Sequence, residues 1–188
     1  MKLFLFDFDG TISKNDSFIN FSLFSVNFIK VFKYWFFVIV LFPFREKSYL
    51  KEMFYLNFRH YKINTFNAIC LRYNEEILEK SIKESFLDYI HCLDKSDKKV
   101  VVSASIKNYL KPWCDKNGFY LISTELEVTN GKLSGRFSTP NCIGEEKARR
   151  IKEKYDLSLY DEIHVFGNSK GDFPMLELGT HKYFKFFK

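Results

Sequence analysis

Residues 3–12 read LFLFDFDGTI, and this stretch decides the fold class of the chain. Its first four residues are apolar, which is typical of a strand buried on both faces at the centre of an α/β sheet. Residues i and i+2 of a strand point the same way, so Asp7 and Asp9 are expected to lie together where the strand ends. Gly10 then lets the backbone turn away from the sheet without steric cost.

Two carboxylates at the end of a buried strand are costly unless a cation pairs with them. With a divalent cation between them, one carboxylate can act as a nucleophile and the other as a general acid and base. The alternative is a strand end that carries two solvated acids. Matching patterns further along the chain disfavour that alternative, so this pair is the first candidate for catalysis.

The composition indicates one domain with a modest insert, because the chain has 188 residues and 46% of them are apolar. The net charge of +6 mildly favours anionic partners such as phosphorylated molecules or lipid head groups. The first residues do not have a signal-peptide pattern, and the cysteines form no C-x-x-C pair, so free thiols in the cytoplasm are expected. The histidines have no metal-ligand spacing and are expected in core or surface roles: His60, His91, His164 and His181.

Residues 14–97 are predicted to form a helical insert and not a linker. Asn15, Asp16 or Ser17 is suited to cap a first helix, and apolar residues then recur at roughly helical spacing. No glycine occurs between Ile12 and Asn117, so the segment lacks the usual breaker of helices.

An uncharged aromatic run, YWFFVIVLFPF at residues 34–44, lies within this insert. As a helix it would be about 16 Å long, which is too short for about 30 Å of bilayer hydrocarbon. Pro43 is expected to end it. Two interpretations stay open: a buried helix of the insert, or a membrane-facing helix that enters one leaflet.

Beyond residue 97 the pattern returns to strands and helices. Residues 98–105 and 161–166 are predicted to be buried strands, and a helix is predicted over 106–113, which Pro112 should kink or restart. Further elements are a strand at 120–123, a hairpin over 125–136 around Asn130-Gly131, a helix opening at 144–147, a short helix at 174–178 and an edge strand at 183–187.

Each of the three predicted buried strands is followed by polar residues. Ligands of parallel sheets bind at the carboxyl ends of the strands, so these polar clusters are expected to meet in one crevice. Lys147, at the start of a helix, is expected to bring a positive charge there. The clusters are Asp7 with Asp9, Ser103, and Asn168 with Asp172.

The order and spacing of these clusters resemble the four motifs of the haloacid dehalogenase (HAD) superfamily over nearly the whole chain. The motifs are DFDGT at 7–11, Ser103 at the end of VVVS, Lys147 in GEEK, and GNSKGDFPML at 167–176. The insert after the first strand is similar to the cap of the phosphoserine-phosphatase-like branch. Its aromatic run is similar to that of the phosphatidylglycerophosphatases in that branch.

The resemblance implies a Rossmann-like parallel-sheet core, residues 1–13 plus 98–188, with a helical cap inserted after the first strand, residues 14–97. It implies an Mg²⁺-dependent phosphomonoester hydrolase that acts on a small phosphorylated substrate. The alternative substrate is a lipid phosphate, reached at the inner membrane face through the aromatic cap. No nucleic-acid motif accompanies the basic helix at 147–154, so no nucleic acid is expected as a partner, and no pattern indicates an oligomeric state.

The resemblance also implies roles for single residues. Asp7 would attack phosphorus and form an aspartyl-phosphate, while Asp9 would protonate the leaving oxygen and then deprotonate the attacking water. Lys147 would neutralise the developing charge. The substrate would contact Gly10, Thr11, Ser103, Ala104 and Lys147. The implied Mg²⁺ ligands are Asp7, Asp9 through its backbone carbonyl, Asn168 and Asp172.

One residue departs from the family pattern. The family usually has an aspartate where Asn168 stands, and asparagine offers a carbonyl oxygen without a charge. Asp172 is expected to supply the missing charge, directly or through water, unless it only caps the helix that follows. Weaker Mg²⁺ binding or reduced activity is therefore expected. A catalytically silent phosphate-binding module is the alternative function.

Overall fold

The computed structural model of this protein describes residues 1–26, 47–94 and 96–188. The aromatic run at 34–44 lies outside the described residues, so both interpretations of it stay predictions. Within the described ranges, none of the helices combines the length and the apolarity that a membrane crossing requires.

The centre of the fold is a parallel sheet in the order β3-β2-β1-β6-β7. Its strands are β1 (Lys2–Phe6), β2 (Lys98–Ile106), β3 (Tyr120–Thr124), β6 (Glu162–Gly167) and β7 (His181–Phe184). β1 is central, and its residues from Leu3 to Phe6 are buried on both faces. This confirms the predicted α/β parallel-sheet fold. The predicted edge strand at 183–187 forms two residues earlier than the sequence pattern indicated.

Helices connect the strands along the chain. α1 (Ser17–Ser25), α2 (Lys47–Tyr55), α3 (Ile63–Tyr73) and α4 (Glu84–His91) lie between β1 and β2 in the chain. α5 (Lys107–Lys116) follows β2, α6 (Glu145–Lys154) precedes β6, and α7 (Phe173–Leu176) follows β6. Of the three candidate caps, Asp16 caps α1, since its Oδ1 accepts from the backbone N–H groups of Phe18 and Ile19. α5 continues through Pro112 to its end.

The two faces of the sheet are packed differently. One face is aliphatic, with Leu3 and Leu5 of β1 against Ile151 of α6 and Met175 of α7. The other face is aromatic and includes the helices of the insert. Phe6 contacts Phe86 of α4 at a ring-centroid distance of 5.4 Å, and the same cluster continues to α1 and α3. The described helices of the insert therefore extend the core of the sheet on this face.

A β-hairpin is hydrogen-bonded to the insert. β4 (Leu126–Thr129) and β5 (Lys132–Phe137) pair antiparallel, and Asn130 and Gly131 take the positive φ angles that the predicted turn requires. The backbone N–H of His60 donates to the carbonyl of Leu133 at 2.8 Å. The hairpin thus pairs with the chain that joins α2 to α3.

Candidate active site

The loop that follows β1 is a tight turn around one carbonyl. The Phe8 carbonyl accepts from the backbone N–H groups of Thr11, Ile12 and Ser13 at 2.9–3.2 Å. Gly10 has φ +77°, and a Cβ built there would lie 2.1 Å from Nδ2 of Asn168. Two features of this position therefore require glycine: the positive φ angle and the close approach of Asn168.

Three buried charges meet at the carboxyl end of the sheet. Lys147 Nζ donates to Oδ1 of Asp7 at 2.6 Å and to Oδ1 of Asp172 at 2.7 Å. Lys147 enters from the first turn of α6, and all three side chains are almost fully buried. Burial lowers the pKa of Lys147, but the two carboxylates outweigh that effect and raise the pKa above its usual value. The cluster has one positive and two negative charges, so it favours binding of a further cation.

Asp172 belongs both to this cluster and to the loop after β6. Its Oδ2 accepts from the backbone N–H groups of Asn168 and Ser169 at 3.1 and 2.9 Å, and from the Ser169 hydroxyl at 2.8 Å. Burial raises the pKa of Asp172, but Lys147 and the donors of Ser169 prevail and hold it below its usual value. The Asp172 side chain does not cap the helix that follows, α7, because its Oδ2 accepts from the preceding turn and its Oδ1 contacts Lys147. Its expected role toward Mg²⁺ stays a prediction.

Asp7 is held at both oxygens. Its Oδ1 contacts Lys147, and its Oδ2 accepts from the Thr11 hydroxyl at 2.9 Å. Burial raises the pKa of Asp7 to about 6, against the opposing attraction of Lys147. Two donors thus fix the orientation of this carboxyl group toward the cavity.

Asp9 is held by two residues that were not among the predicted site residues. Its Oδ2 accepts from the Ser105 hydroxyl at 2.6 Å, and its Oδ1 accepts from the backbone N–H of Ser17 at 2.7 Å. The hydroxyls of Ser105 and Ser17 are 2.8 Å apart, and the Tyr109 hydroxyl lies 3.3 Å from that of Ser17. Ser105 stands two residues after Ser103 on β2, so strand alternation was the signal that could have found it.

Ser103 is fully buried, and its hydroxyl accepts from the backbone N–H of Ser105 at 3.0 Å. The neighbouring Ala104, not Ser103, lines the cavity beside Asp7. Gly10 and Thr11 form the turn next to that cavity without lining it.

The cavity at this end of the sheet has a volume of about 220 Å³. Six of the residues proposed from sequence line it: Asp7, Asp9, Ala104, Lys147, Asn168 and Asp172. Five further residues complete the lining: Asp16, Lys51, Asn141, Ile143 and Ser169. Asp16 and Lys51 belong to the insert, so the cavity lies between the sheet and the insert.

The oxygen ligands around Asp7 suit Mg²⁺. The carboxylates of Asp7 and Asp172 and the amide oxygen of Asn168 are hard oxygen ligands, which Mg²⁺ prefers. The space left by the missing Cβ of Gly10 lets the Asn168 amide reach this position. These residues could hold the ion, together with the backbone carbonyl of Asp9.

Comparisons with known proteins identify the family and the fold. The family model described as haloacid dehalogenase-like hydrolase matches residues 4–177. No curated protein matches the chain. A solved protein of unknown function from Bordetella pertussis Tohama I is 19% identical with a TM-score of 0.82, and the match covers 95% of this chain and 87% of that one.

Two enzymes have a similar fold. A phosphoserine phosphatase in apo form is 17% identical with a TM-score of 0.68, covering 97% of this chain and 85% of that one. A cytosolic 5′-nucleotidase IIIB bound to cytidine is 16% identical with a TM-score of 0.61, covering 97% of this chain and 70% of that one. At these identities the likeness shows a shared fold. Because the family model extends from β1 past Asp172, this chain belongs to the haloacid dehalogenase-like hydrolases and has their phosphatase-like fold.

Proposed function

We propose that this protein is an Mg²⁺-dependent phosphomonoesterase that works through an aspartyl-phosphate on Asp7. The observation that supports this most is the buried contact of Lys147 with both Asp7 and Asp172 beside a small cavity. Such a cluster orients a carboxylate and supplies a fixed positive charge for the phosphoryl oxygens.

In the first step, a carboxylate oxygen of Asp7 attacks phosphorus, and the bond from phosphorus to the leaving oxygen breaks. Asp9 donates its proton to that leaving oxygen. In the second step, Asp9 takes a proton from a water molecule, which attacks phosphorus and releases phosphate from Asp7. Bound Mg²⁺ supplies positive charge that offsets the charge of the phosphate and of Asp7.

The residues around the two aspartates support these roles. Thr11 and Lys147 hold the two oxygens of Asp7, which limits the rotation of the nucleophile. Ser105 and the backbone of Ser17 hold Asp9 in a similar way. Asn168 brings an amide oxygen without a charge, so we expect the affinity for Mg²⁺ to be lower than an aspartate there would give.

A small substrate is favoured by the cavity volume of about 220 Å³, below the range usual for drug-sized ligands. Asp16 and Lys51 carry opposite charges into this cavity from the insert, and both would contact the part of the substrate beyond the phosphoryl group. A lipid phosphate at a membrane surface is the alternative. It is supported by the aromatic run at 34–44 and by the net charge of +6.

The test is hydrolysis of p-nitrophenyl phosphate and of a panel of phosphomonoesters, including phosphatidylglycerophosphate. We expect Mg²⁺-dependent turnover by the native chain, none with EDTA, and none by Asp7→Asn. Equal rates for the native chain and Asp7→Asn would contradict the proposal. Tight Mg²⁺-dependent binding of beryllium fluoride at Asp7 would count against the alternative, a catalytically silent phosphate-binding module.

A further inference from the structure

A second cluster of ligating side chains lies at the amino end of the sheet, away from the candidate active site. Glu162 and His164 stand two residues apart on β6 and point to one side, and His164 is paired in register with His181 on β7. One ligating atom from each of the three side chains lies within 4.8 Å of the others.

We propose that Glu162, His164 and His181 form a binding site for Zn²⁺, distinct from the Mg²⁺ site proposed at Asp7. Two imidazoles and one carboxylate suit a borderline transition-metal ion and do not suit Mg²⁺, which prefers oxygen ligands alone. The histidines show no ligand spacing in the sequence, because His181 joins His164 only through the pairing of β6 with β7.

Both imidazoles are already oriented by neighbouring groups. His164 Nε2 lies 2.7 Å from Oε2 of Glu162, and its Nδ1 lies 3.3 Å from the Tyr183 hydroxyl. His181 Nδ1 lies 3.0 Å from the Thr180 hydroxyl. Partners of this kind at the second ring nitrogen fix the tautomer and the ring orientation of metal-ligating histidines.

Binding requires a small rearrangement that the site allows. His164 Nε2 and Glu162 Oε2 lie in hydrogen-bond contact at 2.7 Å, so this pair must open as the ion enters. Two ligand atoms at a tetrahedral angle on one Zn²⁺ are about 3.4 Å apart. The His164 ring is buried and stacks on Phe4, with ring centroids 4.6 Å apart, and therefore stays in place. His181 is exposed, so its ring can turn out of its parallel stack on His164 toward the ion.

Lys2 competes with the ion in this site. Its Nζ lies 2.9 Å from Oε2 of Glu162, where the ammonium takes the place of a metal cation. The Lys2 side chain is 45% exposed, so it can move into solvent when the ion binds. Zn²⁺ binding is thus expected to strengthen when Lys2 loses its charge.

The bound ion would connect β6 to β7, the last strand of the sheet. The chain beyond β7 leads back to the active site, since Lys83 Nζ donates both to the Phe187 carbonyl at 3.0 Å and to the Gly10 carbonyl at 2.7 Å. Zn²⁺ would therefore fasten an edge strand whose continuation is linked through Lys83 to the loop of Asp7 and Asp9.

The experiment is a calorimetric titration with Zn²⁺ in excess Mg²⁺, which occupies oxygen-only sites, combined with thermal melts. We expect one Zn²⁺ per chain and a melting temperature raised by roughly 3 to 6 °C at ten times the Kd. His181→Ala and Glu162→Gln should each weaken binding about tenfold or more, and Lys2→Met should strengthen it. His164 is left intact, because its buried ring is part of the core.

Two matched controls exclude other ligands. His91 ends α4 and Cys92 follows it; both are exposed and neither belongs to the cluster, so His91→Ala and Cys92→Ser should bind Zn²⁺ like the native chain. The proposal is overturned if Zn²⁺ does not bind, if His181→Ala or Glu162→Gln binds as tightly as the native chain, or if Cys92→Ser abolishes binding. Phosphatase activity does not enter this test, so its outcome is independent of the proposed function.

Discussion

The two ends of the sheet carry ionic clusters of similar geometry in different surroundings. At the carboxyl end, Lys147 contacts Asp7 and Asp172 at 2.6 and 2.7 Å, and its side chain is 2% exposed. At the amino end, Lys2 contacts Glu162 at 2.9 Å, and its side chain is 45% exposed. Beside it, the terminal ammonium of Met1 contacts Asp161, whose side chain is 80% exposed.

This comparison teaches that burial, and not distance, decides what a charged contact contributes. Exposed ions keep most of their hydration, so an exposed contact stabilises the fold little and is screened by salt. Buried ions have lost their hydration, so each depends on its partner, and removal of one partner leaves a costly charge. The carboxyl end can therefore hold reactive groups in fixed positions, while the amino end can exchange Lys2 for another cation.

The largest effect is expected from Lys147→Met. It leaves the carboxylates of Asp7 and Asp172 buried without a cation, which should cost about 3–5 kcal/mol of unfolding free energy. Phosphatase activity should fall roughly 10²- to 10³-fold. Urea denaturation with and without Mg²⁺ measures the first effect. Mg²⁺ should restore part of the lost stability, because the ion replaces the ammonium near the carboxylates.

The matched control for this change is Lys152→Met, at an exposed position of the same helix. Its stability and activity should stay close to those of the native chain. A similar loss in both variants would mean that α6, and not the buried charge, is sensitive to the substitution.

The next largest effect is expected from Gly10→Ala. The new Cβ must take a positive φ and meet Asn168 Nδ2 at 2.1 Å, so both the turn and the Asn168 position are disturbed. Gly118 has φ +72° with no atom within 4 Å of a built Cβ, so Gly118→Ala isolates the backbone cost, about 1 kcal/mol. Gly10→Ala should lose more stability than Gly118→Ala, and also Mg²⁺-dependent activity. If urea denaturation gave equal losses of unfolding free energy for Gly10→Ala and Gly118→Ala, the close approach of Asn168 would carry no cost.

The sheet and its polar end could be predicted from the sequence for a physical reason. Strands buried on both faces need apolar runs, and β1 and β2 each have a continuous one that stops at a polar group. In β6 the apolar residues stand on either side of His164, and the strand is followed by Asn168. The convergence of Asp7 and Asp172 then follows from parallel strand ends meeting at one edge, and Lys147 joins them from the first turn of α6.

Contacts between distant elements could not be predicted in this way. Asp16 and Lys51 line the cavity because the insert packs over the sheet, which no local pattern encodes. The neighbourhood of His164 and His181 depends on which strand pairs with β6. The position of Asn168 depends on an empty volume at Gly10. Each of these follows from tertiary packing and not from periodicity.

A moderate effect on activity is expected from Ser105→Ala. Asp9 loses the hydroxyl that donates to its Oδ2 at 2.6 Å, so the proposed general acid and base becomes less well oriented. We expect kcat to fall roughly 10- to 100-fold with little change in KM, and Ser105→Thr to recover part of the loss. Ser123→Ala is the control, because that buried hydroxyl has no hydrogen-bond partner among the described residues. A similar fall in kcat for Ser123→Ala would argue against a specific role of Ser105.

A smaller, pH-dependent effect on stability is expected from Glu146→Gln. Glu146 accepts from Arg149 and Arg150, and these contacts lower its pKa to about 2 although burial opposes the shift. Because its pKa is lowered, ionised Glu146 stabilises the fold fully at pH values above its ordinary pKa near 4.5. This stabilisation is lost as the pH falls toward 2. The urea midpoints of the native chain and Glu146→Gln should therefore differ near neutral pH and converge in acid. A constant difference across this range would contradict the assignment, and Glu153→Gln serves as the exposed control.

The smallest effect is expected from Asp161→Asn at the amino end. The carboxylate contacts the Met1 ammonium as closely as Asp7 contacts Lys147, but it is 80% exposed and stays hydrated when its partner is absent. The urea midpoint should therefore equal that of the native chain within error at physiological salt, where the Debye length is about 8 Å. A loss as large as that of Glu146→Gln would show that short distance alone can stabilise an exposed pair. In that case the contrast between the two ends of the sheet would have to rest on something other than burial.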